Sequence, residues 1–80
     1  MNKRQVLELL LATPDLDAAT VAQHLVCSAE AAGMSLLRLS RQNLVQRLFD
    51  PGDRLFYYQI SPKGRARLRY WNAHRTQDGR

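Results

Sequence analysis

At 80 residues the chain is one small domain, near the lower limit at which a core forms without disulfides or metal. A hydrophobic share of 45% without low-complexity runs excludes a disordered chain, and no stretch is long enough to span a bilayer, so no membrane partner is expected. The net charge of +5 points toward nucleic acid only weakly. Through residue 60 the bases Lys3, Arg4, Arg38, Arg41, Arg47 and Arg54 are matched by Glu8, Asp15, Asp17, Glu30, Asp50 and Asp53, and the excess lies in the last twenty residues.

The opening "MNKRQVLELLLATPDLD" superficially looks like a secretory signal, but its apolar run contains Glu8, stops at Thr13 and precedes no small-residue cleavage pattern. Cys27, the single cysteine, cannot form an internal disulfide, which suits a reducing, cytoplasmic setting. From Asn2 to Ala12, Val6, Leu9 and Leu10 recur at helical spacing, with Leu7 and Leu11 left on a flank. Thr13-Pro14 ends this helix, because a residue before proline is pushed out of the α region. Asp17 caps a short second helix with a Val21, Ala22 and Leu25 stripe. After the tight Val26-Cys27 link, Ser28 caps a third helix over residues 28–42, its inward side running through Ala32, Leu36 and Leu39. That helix ends near Asn43, which tolerates the left-handed conformation of a helix terminus.

The period then changes from 3.6 to 2. "LVQRLF" and "RLFYYQI" flank "DPGD", predicting a β-hairpin from Leu44 to Ile60. A two-residue Pro-Gly turn twists the wrong way for a tight hairpin, so a wider loop is expected. Alternation puts Phe56 and Tyr58 on one face, expected to pack into the core, and leaves Leu55 and Tyr57 exposed. Ser61-Pro62 opens a fourth helix carrying Leu68 and Trp71 on one side, and from Thr76 onward fraying is expected. The fold class is α+β, a three-helix core with a β-hairpin and a C-terminal helix, in one domain over residues 1–75 with a disordered tail at 76–80.

This order of elements is that of the winged helix-turn-helix. The stretch "LDAATVAQHLVCSAEAAGMSLLRLSRQNLVQRLFDPGDRLFYYQISPKGRARL" resembles the DNA-binding lobe of MarR-type transcriptional regulators, matching at Leu16, Val21, Ala22, Leu25, Ser28, Leu39, Leu44-Val45, the wing tip Asp50 to Arg54, and Ile60 through Arg65. The resemblance implies a transcriptional regulator of duplex DNA, with the third helix in the major groove and wing residues 50–54 on backbone or minor groove. The DNA-binding residues it implies are Ser28, Glu30, Ala31, Met34, Arg38, Arg41 and Arg54. Two departures stand out. The family's long dimerising helices do not fit this length, so a homodimer or a protein partner would use Leu7, Leu11, Tyr70 and Trp71. The groove-facing side also offers Ala29, Glu30, Gly33 and Met34 where base-reading side chains are expected.

Each candidate has a plainer structural role. Glu30 suits a helix N-terminus, Ala31 and Met34 fit thymine methyls or an apolar protein surface, and Arg38 and Arg41 fit phosphate contact or a solvated face. Arg54 either reaches DNA or pairs with Asp50 or Asp53, and Gly33 in mid-helix suggests a close backbone approach. Trp71 beside Tyr70 fits a seam against the first helix or a second copy. The alternative function is a protein-interaction module, inhibitor or adaptor, docking through the apolar face of helix 28–39. His24 and Cys27, three apart, do not make a zinc site; no catalytic residue, metal or cofactor is expected, and the chain is not read as an enzyme.

Overall fold

The computed structural model describes residues 2–74; the 76–80 tail lies outside them. Four helices and two strands run in the order α1 (Lys3–Ala12), α2 (Ala18–Leu25), α3 (Ala29–Arg41), β1 (Val45–Asp50), β2 (Leu55–Ile60) and α4 (Pro62–Ala73). Side chains written into the sequence start every helix. Asn2 and Gln5 exchange reciprocal hydrogen bonds ahead of α1, Asp17 accepts from the Thr20 N–H, Ser28 from the Ala31 N–H, and Ser61 from the Gly64 N–H. Pro62 takes the first position of α4, where its missing N–H costs nothing. Asn43 does adopt the left-handed conformation after α3.

The core is one cluster: Val6, Leu7 and Leu10 of α1, Leu16 of the link that follows, Val21 and Ala22 of α2, Ala32, Leu36 and Leu39 of α3, Leu44, Val45, Tyr58 and Ile60 of the hairpin, and Leu68 of α4. One expectation for α1 is corrected here. Leu7 is fully buried and therefore cannot serve as a partner surface, while Leu9 is only half-buried against the same cluster. The cause is that α1 is enclosed by α2, α3, α4 and β2 together, so its inward face is wider than a single stripe and takes the neighbouring pair Val6-Leu7.

The hairpin is antiparallel, in register Val45↔Ile60, Arg47↔Tyr58 and Phe49↔Phe56, with a four-residue connection as its composition requires. Leu16, in the α1–α2 link, adds one isolated antiparallel bridge to Tyr58, and Asp15 beside it accepts from the Gln59 side chain. The hairpin is thereby anchored at its base. Only that base is covered, and the register exposes a second correction: Tyr58 and Ile60 are buried, but Phe56 is 40% exposed. Alternation assigns the face correctly, yet two residues farther out the strand has passed the end of the helices.

Gly33 is likewise corrected. A β-carbon there would meet nothing within 4 Å, so no close approach explains it.

Candidate nucleic-acid interface

The helix-turn-helix consists of α2, a three-residue link and α3. Val26 makes the corner by adopting φ 52°, ψ 58°, the left-handed region that glycine or asparagine usually supplies. Its side chain is 91% exposed, while Cys27 beside it is half-buried and packs on the core. With Ala32, Leu36 and Leu39 turned inward, the outward side of α3 carries Glu30, Ala31, Met34, Arg38 and Arg41, all exposed. These five form one helical stripe with 3- and 4-residue spacing.

Within the stripe the chemistry is graded. Ser28 is committed to its cap and Glu30 sits in the first turn, where a carboxylate complements the positive end of the helix. Ala31 and Met34, the latter 53% exposed, follow as an apolar step, and Arg38 and Arg41 occupy the last turn. Neither arginine pairs with a carboxylate among the described residues, where Arg4–Glu8 on α1 is the ion pair that forms. Leu37 is half-buried, so the apolar part of the stripe amounts to Ala31 and Met34.

The wing tip answers whether Arg54 is tied down. The Asp50 carboxylate accepts from the Gly52 N–H at 2.9 Å, and Asp53 accepts from the Tyr57 hydroxyl at 2.9 Å. That second bond, donated to a charged acceptor, raises the Tyr57 pKa above its usual range. Both acids thus close the loop on itself and neither pairs with Arg54, whose backbone takes the left-handed conformation and donates to the Asp50 carbonyl at 2.7 Å. The Arg54 guanidinium remains exposed at the tip.

The wing also holds a cluster that sequence reading missed. Phe49 and Phe56 face each other with ring centroids 5.1 Å apart, and the Arg47 guanidinium lies 3.9 Å from the Phe56 centroid. The signal was available once the loop was placed at 51–54, because a four-residue connection puts 49 opposite 56. Leu48 and Leu55, on the other face, are exposed too. Of the residues expected on a partner surface, Leu11 and Tyr70 are exposed, Trp71 is half-buried against the core, and Leu7 is inside. No group of three or more metal-ligating side chains forms among the described residues.

No protein-family model and no curated protein matches the sequence. Solved structures do. The chain is similar to a MarR-family transcriptional regulator from Silicibacter pomeroyi at 28% identity and TM-score 0.79, covering 92% of this chain and 51% of that one. It is similar to the PcaV transcriptional regulator of Streptomyces coelicolor, solved with its natural ligand, at 25% identity and TM-score 0.84, covering 94% and 54%. The fold also matches FabT of Streptococcus pneumoniae, solved in complex with DNA, at 20% identity and TM-score 0.81, covering 94% and 53%. The domain is a winged helix-turn-helix resembling the DNA-binding lobe of MarR-type regulators, as its motifs imply. The chain spans about half the length of each of these regulators.

Proposed function

We propose that this domain binds duplex DNA as the reading lobe of a transcriptional regulator, with α3 in the major groove and residues 50–54 over an adjacent backbone or the minor groove. One observation carries the proposal: Arg38, Arg41 and Arg54 stand exposed at both ends of the surface that a winged helix offers to DNA, and no described carboxylate neutralises them. The likeness to transcriptional regulators, and of the fold to FabT in complex with DNA, supports it.

The stripe on α3 also indicates how such a site discriminates. Ala31 and Met34 provide apolar contact suited to thymine methyls, Glu30 can accept from a cytosine amino group, and neither Arg nor Asn stands in the first two turns. Affinity then rests mainly on phosphate contacts and specificity on duplex shape. The protein-docking alternative is weakened by Leu37, which is half-buried and leaves Ala31 and Met34 as a narrow apolar patch. In this reading Leu11 and Tyr70 are the side chains open to a second copy.

Binding to a generic duplex, followed by fluorescence anisotropy across a salt series, tests the proposal. The expected result is a log-linear fall of affinity with salt, with Arg54→Ala and Arg38→Ala each reducing the slope by about 1. Salt-independent binding, or variants identical to the parent, would overturn it.

A further inference from the structure

A second basic site lies beyond the C-terminal end of α3, where three elements meet. Lys3 in the first turn of α1, Gln42 at the end of α3, Leu44 at the start of the hairpin, and Lys63 and Arg67 one turn apart on α4 line a cleft of about 330 Å³. Lys3 donates to the Gln42 side-chain oxygen at 3.3 Å, and Lys63 donates to the Gln42 backbone carbonyl at 3.0 Å. Two ammonium groups thus gather on one residue, with the half-buried Arg67 beside them.

We infer that this cleft binds a phosphate-class oxyanion. Like charges drawn together from α1 and α4 repel unless an anion lies between them, and no carboxylate among the described residues lines the cleft. Each ammonium carries three donors and spends one on Gln42; the Arg67 guanidinium adds a planar fork of donors. That set matches the charge and multiple acceptor oxygens of a phosphoryl group better than a single carboxylate. The floor is the buried Leu44, so the bound anion would have one dry side, where charge-assisted hydrogen bonds are stronger. Gln42 and Lys3 also border a smaller groove lined by Arg38, so the cleft adjoins that one cation of α3.

A phosphoryl group could come from a small phosphorylated molecule or from a DNA backbone. Inorganic phosphate is the probe, titrated into the full chain at constant ionic strength against chloride while thermal unfolding is followed. A saturable rise in the unfolding midpoint with phosphate and none with chloride is expected. Lys63→Gln and Arg67→Gln should each weaken apparent phosphate affinity by about tenfold, the equivalent of one charge-assisted hydrogen bond. Arg65→Gln, an equal change of charge on the same helix outside the cleft, should leave it unchanged. If chloride reproduces the rise, or if Arg65→Gln weakens it as much as the cleft variants, there is no site and the idea fails.

A second measurement assigns the source. Should the Lys63→Gln, Arg67→Gln double variant lose phosphate binding and also show a shallower salt slope on duplex DNA, the anion is a backbone phosphate. Should duplex binding stay unchanged, it is a small molecule. Phosphate binding is measured without DNA, so a failure of duplex binding would remove the function proposed above and leave this site standing.

Discussion

The Leu44 carbonyl occupies the space that a β-carbon on Gly64 would need, and the Ile60 side chain closes in at 2.8 Å. Gly64 is what allows the first turn of α4 to lie directly against the corner between α3 and β1. Gly64→Ala should therefore destabilise the fold by about 1–3 kcal/mol through forced displacement of backbone. Gly33→Ala should do the reverse, gaining about 1 kcal/mol of helix propensity because its position is open. Urea unfolding of both variants checks the opposed signs, and equal signs would contradict the packing described for both positions.

Val26 holds a conformation in which a β-branched side chain crowds its own carbonyl, and its exposed side chain recovers little from burial. Val26→Gly or Val26→Asn is expected to raise stability by about 1 kcal/mol, with Val26→Ala gaining less because the β-carbon remains. Thermal unfolding of the three variants ranks them. A stability loss for both Gly and Asn would mean that the valine side chain contributes a contact of its own.

Ser61 is a buried polar residue that works in both directions: its hydroxyl donates to the Asn43 carbonyl at 2.6 Å and accepts from the Gly64 N–H at 2.9 Å. Ser61→Ala orphans both partners and should cost about 1–3 kcal/mol. Ser61→Thr, which retains the hydroxyl, is the comparison. A loss with Ala that Thr restores identifies the bonds rather than the volume, read from denaturant midpoints.

Asp17 caps α2, and its hydrogen bond from Thr20 holds its pKa below the ordinary value of 3.8. A carboxyl whose folded pKa is depressed stabilises the fold fully above its unfolded value. That contribution fades as pH falls through the lower folded value. Thermal midpoints of Asp17→Asn and the parent should therefore converge on acidification from neutrality toward about pH 3, since asparagine caps without titrating. A constant gap across that range would show that Asp17 acts by some other route.

Much of the fold was legible because local chemistry and global packing agree. Asp17, Ser28 and Ser61 are caps in sequence and in structure, Asn43 takes the left-handed residue, and the wing loop is four residues wide because Pro-Gly cannot close a tighter one. What escaped depended on where neighbours end. Periodicity separates the faces of α1 but cannot tell that four elements surround it, which decides between Leu7 and Leu9. It puts Phe56 and Tyr58 on one face without indicating that the helices stop short of Phe56. Arg38, Arg41 and Arg54 were legible as candidates, but that Arg54 is left without an acidic partner among the described residues depends on Asp50 and Asp53 finding partners inside the loop. The cleft of Lys3, Lys63 and Arg67 brings together residues some sixty positions apart, which no local pattern encodes.

The hairpin has a further consequence through its two sides. Leu16 covers part of the outer side of β2, whereas β1 has β2 as its one neighbour among the described residues. The free side of β1 is thus a row of unsatisfied main-chain donors and acceptors next to the exposed Leu48 and Phe49, a template on which another extended chain could grow. A charged residue in mid-strand opposes such growth, because stacking copies in register would place like charges together. Arg47 fills that place, so the residue whose guanidinium covers Phe56 also sets a positive charge in the middle of the open strand, where a gatekeeper residue would stand.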